Sequence, residues 1–212
     1  MEKTTYIFDF DGVLVDSMPY WSKGMLNFLD NHGIDYPADI IKTITPLGNP
    51  GSARYFKKTF GLALEIEEIL KEIEDYFVPK YLYEIPLKPF VYEFLTDLKN
   101  KGYSLNVLTA SPHITVDPCL KRLGVFDLFD NIWSCDDFNT TKADPDIYVR
   151  TVEKIGVNMS DAVFFDDNIN AVKTAITAGL YTVGVYDVTG EEFKSELQKI
   201  SNRYIHSFEE LL

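Results

Sequence analysis

From residue 86 onward, short uninterrupted apolar runs alternate with amphipathic stretches of helical period, and few architectures accept that pattern. The runs predict strands at 104–108, 132–134, 162–165 and 181–186. The stretches around them predict helices at 90–100, 112–123, 145–155 and 169–178. Apolar strands separated by helices form a parallel sheet covered on both faces. A strand of the same character, 6–8, stands alone near the N-terminus. Between it and residue 86 the pattern is helical: Trp21, Met25, Phe28 and Leu29 share one face, as do Ile66, Ile69, Leu70, Ile73 and Phe77. The expected organisation is an α/β sheet domain, 1–15 with 86–212, interrupted by an α-helical insertion, 16–85.

In open parallel sheets ligands bind beyond the carboxyl ends of the strands, so the residues directly after each strand carry the most information. The first strand runs into Asp9 and Asp11, followed at once by Gly12. Two carboxylates about 4 Å apart repel by roughly 4 kcal/mol at a moderate effective dielectric, so such a pair calls for a cation, a shared proton or a catalytic use. A plain turn closed by Gly12 is the simpler alternative. After 104–108 come Thr109, Ala110 and Ser111; after 162–165 come Asp166, Asp167 and Asn168, each triplet just before a helix.

Taken singly, Thr109 or Ser111 reads as a helix N-cap, and Asp166 and Asp167 as acidic groups suited to a helix N-terminus. Lys142, in TTKADPDIY, reads as a solvated loop lysine. Taken together they fit one phosphoryl-transfer site. Hydroxyl and N–H donors at a helix start hold a phosphate and Lys142 neutralises it. The carboxylates hold a divalent cation that prefers hard oxygen ligands, most simply Mg2+.

Composition narrows the partners. With 212 residues, 46% of them hydrophobic, the chain can bury the core of one domain with an insertion, or of two small domains. A net charge of −13 argues against nucleic acid, whose binding depends on clusters of Lys and Arg. A small phosphorylated metabolite stays open, because it answers to the local field of its pocket. No run approaches the roughly 20 apolar residues of a membrane span, and the N-terminus lacks signal-peptide order. With only Cys119 and Cys135 present, the expectation is a cytoplasmic protein with no membrane partner, as a monomer or a dimer.

In order and spacing, four segments resemble the motifs of the haloacid dehalogenase superfamily across nearly the whole chain. DFDGVLVDS resembles the first, LTAS the second, Lys142 within TKADPDIY the third and FFDDN the fourth. The insertion directly after the first motif resembles that superfamily's helical type 1 cap, near the branch of the phosphoglycolate phosphatases and beta-phosphoglucomutases. The resemblance implies a Rossmann-like parallel sheet core and a phosphatase. Asp9 would be the nucleophile and a metal ligand, Asp11 the general acid and base whose backbone carbonyl also binds metal, Asp167 a metal ligand and Asp166 its partner. Thr109, Ala110 and Ser111 would bind phosphate together with Lys142, which would also stabilise charge on the nucleophile. The chain departs from the pattern at Asp166, where Glu or Gly is frequent, at Asn168, where Ser is frequent, and at Ala143, where Pro is usual.

The resemblance assigns substrate choice to the cap. The stretch 45–51, TPLGNPG, reads as a shaped loop that dips toward the site or as an ordinary helix connector. Tyr20, Trp21, Gly48 and Arg54 are the cap residues singled out for substrate contact, with His113 of the core beside the second motif. Against each stands a plainer role: packing for Trp21, solvent exposure for Arg54 and His113. Mutases of the beta-phosphoglucomutase type resemble one another in a histidine just after the first motif, where this chain has Pro19, Tyr20 and Trp21, which favours hydrolysis. A non-catalytic binding protein could lose the acid, the lysine or a metal ligand, and this chain keeps them all.

Overall fold

Strand β1 (Thr5–Phe8) is buried along most of its length because it lies inside a sheet, with a neighbour on each side. The computed structural model describes residues 3–212. They form two units, one of Met18–Glu84 and one that takes the chain up to Ser17 and again from Ile85 to Leu212.

The first of these is all-helical: α1 (Met18–Asn31), α2 (Ile40–Ile44), α3 (Gly48–Phe60) and α4 (Ile66–Tyr83). Helix α1 buries Gly24, Met25, Phe28 and Leu29, and α4 buries Ile69, Ile73, Phe77 and Tyr81, the i, i+4 stripes that the sequence shows. Gly24 lets the two helices approach closely, since a Cβ there would come within 2.8 Å of both Tyr76 and Phe77. Phe28 stacks on Phe56 of α3 at 5.6 Å. Residues 45–51 are not a loop: Thr45–Leu47 make one 3-10 turn and Gly48 opens α3. Their Pro and Gly content is absorbed by the join between two helical segments, where Gly48 takes φ 63.

In the second unit helices and strands alternate as α5 (Val91–Asn100), β2 (Ser104–Thr109), α6 (His113–Arg122), β3 (Asn131–Ser134), α7 (Asp146–Ile155), β4 (Ala162–Asp166), α8 (Ile169–Ala178), β5 (Tyr181–Val185), α9 (Lys194–Ile200) and β6 (Arg203–Ile205). Strand β6 has no counterpart in the sequence reading, because three residues led by an exposed arginine show no apolar run. The sheet order is β3-β2-β1-β4-β5-β6 and each paired neighbour is parallel. The chain steps outward from β1 to β3, then returns to the far side of β1 for β4, β5 and β6. The reversal between β1 and β4 opens a crevice at the carboxyl ends of those strands.

Side chains alternate across the sheet. Ile7, Leu108 and Phe164 face a cluster that includes Tyr148 of α7 and Ala175 of α8. On the other side Tyr6, Phe8 and Phe165 form an aromatic layer with Phe94 of α5 and Phe208, Phe8 and Phe165 stacking at 4.8 Å. This two-sided core fixes β1, β2 and β4 side by side, and all three end at the crevice.

Candidate active site

Asp9 directly follows β1 and stays in register with the sheet, its N–H donating to the Phe165 carbonyl at 2.9 Å. Its side chain is only 11% exposed. Lys142 Nζ lies 2.6 Å from Asp9 Oδ1, and the Phe10 N–H donates to the same oxygen at 2.7 Å. The ammonium also donates to Asp166 Oδ2 at 2.8 Å. Burial pushes the Asp9 carboxyl up to about 6; Lys142 pulls against that rise and Asp166 adds to it. Burial likewise works against the charge of Lys142, but Asp166 and Asp9 outweigh it and hold the ammonium well above the usual lysine range. Lys142 is therefore a buried, charged lysine between two carboxylates, not a solvated one.

Asp166 ends β4 and is fully buried, so it does not cap the following helix. Asn168 does, its side chain accepting from Asn170 N and Ala171 N, while its own N–H donates to Asp166 Oδ1 at 2.8 Å. Asp167 lies against Gly12, whose backbone has φ +71; a Cβ on Gly12 would sit 2.5 Å from Asp167 Oδ2. Burial, then Asp166, Asp187 and Asp9, push the Asp167 carboxyl well above its ordinary range. Carboxylate oxygens of Asp9, Asp166 and Asp167 lie within 4.8 Å of one another. Three hard anionic donors this close carry more charge than Lys142 offsets, and their spacing and chemistry suit a divalent cation.

Asp11 is outside that cluster of side chains. Its Oδ2 accepts a short hydrogen bond from Ser111 Oγ. Thr109 is the last residue of β2, buried, and its Oγ1 accepts from the Ser111 N–H at 3.1 Å. Neither Thr109 nor Ser111 is the N-cap of α6; Pro112 holds that position, which leaves both hydroxyls to the loop itself. Ala110 between them, just beyond the end of β2, is exposed. His113 opens α6 and bridges Asp117 and Asp137, one ring nitrogen to each at 2.9 Å.

Three further residues support this region without having been singled out from the sequence. Tyr148 is buried against Phe164 at 5.1 Å, and its one hydroxyl proton is shared between the carbonyls of Lys142 and Ala171, both at 3.1 Å, which pins the Lys142 loop to α8. Lys88 Nζ donates to the Gly12 carbonyl at 2.6 Å and to Asp187 Oδ2 at 2.9 Å. Asp187 stands just beyond β5, so the rule that reads residues after strands would have found it. A lysine between Leu87 and Pro89 carries no comparable signal.

The helical unit holds the remaining candidates. Trp21 Nε1 donates to Asn49 Oδ1 at 2.8 Å, tying α1 to the first turn of α3. Tyr20 is half-buried, Arg54 is exposed on α3, and Gly48 is exposed with open space where a Cβ would stand.

A doubly wound parallel sheet with carboxylates, a buried lysine and hydroxyls converging at its switch point defines an α/β enzyme core with an anionic, metal-ready site. Residues 3–179 match the haloacid dehalogenase-like hydrolase family, and the chain belongs to that family. It is 30% identical to a phosphoglycolate phosphatase of Psychrobacter arcticus, over 87% of this chain and 84% of that protein. It is 29% identical to the pyrophosphatase PpaX of Bacillus velezensis, over 86% of this chain and 82% of that one. In fold it is similar to the crystal structure of a beta-phosphoglucomutase from Clostridium difficile, with a TM-score of 0.81, 21% identity and coverage of 99% and 93%. No helix among the described residues is long and apolar enough to cross a membrane.

Proposed function

We propose that this hydrolase is a Mg2+-dependent phosphatase that cleaves a small phosphate monoester through an aspartyl-phosphate on Asp9. One observation carries the reading: Asp9, Lys142, Asp166 and Asp167 meet at the carboxyl ends of adjacent strands, beside the Thr109–Ser111 loop, with the three carboxylates spaced to share one cation. The phosphatases among its relatives support the same class of substrate.

In this reading an Asp9 oxygen forms the new bond to phosphorus while the ester P–O bond breaks. Asp11 gives its proton to the leaving oxygen and then takes one from the water that hydrolyses the acyl phosphate. Ser111, hydrogen-bonded to Asp11, holds that carboxyl in one orientation. Lys142 and the donors at the end of β2 offset charge on the transferring oxygens, the main requirement of such a transfer. Asp9, Asp167, Asp166 directly or through water, and the Asp11 carbonyl would hold Mg2+. When bound, the ion supplies Lewis-acid neutralisation of the phosphoryl group. Substrate choice falls to the helical unit acting as a cap, with Tyr20, Trp21, Gly48 and Arg54 as the positions to vary.

The test is phosphate release from a panel of sugar phosphates, phosphoglycolate and nucleotides with Mg2+. Turnover of one class, abolished by chelator and lowered at least ~10^3-fold by Asp9→Asn, is the expected result. Conversion of a sugar 1-phosphate to its 6-phosphate without release would show a mutase. Silence in both assays would leave a binding protein.

A further inference from the structure

Lys88 is 15% exposed, and its ammonium meets three acceptors: the Gly12 carbonyl at 2.6 Å, the Tyr186 carbonyl at 2.8 Å and Asp187 Oδ2 at 2.9 Å. An ammonium has three protons, so each has a partner. The three acceptors come from two loops. Gly12 belongs to the turn that carries Asp11, and Tyr186 and Asp187 follow β5, the neighbour of the strand that carries Asp166 and Asp167.

Both ends of this tether are themselves fixed. The Lys88 N–H donates to the Leu14 carbonyl at 2.9 Å, and Leu87 pairs antiparallel with Val15. Asp187 Oδ1 accepts from the Thr189 N–H at 2.9 Å and from its hydroxyl at 2.7 Å, so Asp187 cannot swing away without breaking a second set of bonds. Lys88 also places a positive charge near Asp167, countering the repulsion that Asp166 and Asp187 exert on it. Enclosing a lysine forfeits hydration and side-chain entropy. Apolar packing joins two loops without that loss. What packing cannot do is hold one carbonyl oxygen at a set place, and the carbonyl held here is that of the glycine pressed against Asp167.

We propose that Lys88 is a positioning residue for the carboxylate site: with Asp187 as counter-charge, it ties the Asp11–Gly12 turn to the exit of β5. It thereby sets the approach of that turn to Asp167 that a divalent cation requires. The inference rests on the reading of Asp9, Asp166 and Asp167 as a Mg2+ site. Lys88 touches none of the reacting groups and acts through Gly12.

The test is thermal unfolding of the full chain across a Mg2+ titration, for the native protein and Lys88→Met, alongside kcat and KM on the best ester from the panel. The expected result is an apparent Mg2+ affinity lowered ~10- to 100-fold, the range for residues that orient metal ligands. Turnover should recover at high Mg2+, and KM for the ester should move less than kcat at limiting Mg2+. Should Lys88→Met fail to fold, Asp187→Asn carries the same test, since it keeps the side-chain shape while removing the counter-charge and one of the two oxygen acceptors. A folded variant that is less stable but keeps the native Mg2+ midpoint would show a merely structural tether and overturn the inference alone. A native chain that gains no stability from Mg2+ would overturn the metal reading and this inference with it.

Discussion

Gly12 meets two constraints at once: a left-handed backbone, φ +71, and a side-chain space already filled by the Asp167 carboxylate. Only glycine satisfies both. Gly12→Ala should cost about 1–2 kcal/mol for the left-handed conformation alone. The added methyl would also have to displace Asp167, which moves a proposed metal ligand rather than a flexible side-chain tip. The expected outcome is a variant that still folds by circular dichroism yet loses about 100-fold or more in kcat/KM, the scale on which ~1 Å misplacements act. Native turnover in that variant would place Asp167 outside the mechanism. That Asp9, Asp166 and Asp167 converge was legible from sequence because they follow separate strands of one parallel sheet, whose carboxyl ends face one crevice. Lys88 and Tyr148 were not, because what they do depends on backbone carbonyls, those of Gly12 and Ala171 among them, that are distant in the chain, and a carbonyl has no sequence signature.

Helix α6 is joined to the end of β3 by His113, which reaches Asp117 one turn along its own helix and Asp137 in the turn after β3. Asp137 also accepts from the Ser134 N–H, closing a capping box, so the bridge anchors an element boundary. Hydrogen bonds to Asp117 first and Asp137 second raise the His113 pKa above the usual 6.5. A histidine whose folded pKa is raised stabilises the fold fully below its unfolded pKa and loses that contribution as pH rises through the folded value. The effect is modest, since the side chain is 41% exposed and solvent screens it. Asp117→Asn should lower the His113 pKa in an NMR titration and flatten the pH dependence of stability above pH 6.5; an unmoved pKa would contradict the bridge. At this scale the parallel strands and most helices were legible because apolar runs and 3.6-residue stripes are local. Strand β6 was hidden because its place comes from pairing with β5, and Asp166 carries two readings, a helix-start acid when taken alone and a partner to the metal ligand when taken with its neighbours, because the last residue of a strand and the first of a turn look alike in sequence.

Across the whole molecule, a net charge of −13 sets a general electrostatic cost to folding on top of the local repulsion in the carboxylate cluster. The two respond differently to ions. Monovalent salt shortens the Debye length from about 30 Å at 0.01 M to about 10 Å at 0.1 M and so relieves the diffuse repulsion. A divalent cation bound at Asp9, Asp166 and Asp167 stabilises instead by mass action, about 2.7 kcal/mol at 100 times its Kd, or about 5–10 °C in Tm for a chain of this size. At constant ionic strength, then, replacing NaCl with MgCl2 should raise the Tm of the native chain by several degrees. Asp167→Asn should keep the NaCl response, because one charge in −13 changes the diffuse term little, and should lose most of the MgCl2 increment, because it removes one of three anionic oxygen donors. Equal MgCl2 increments in the two proteins would assign the effect to screening and remove the cluster from consideration as a cation site.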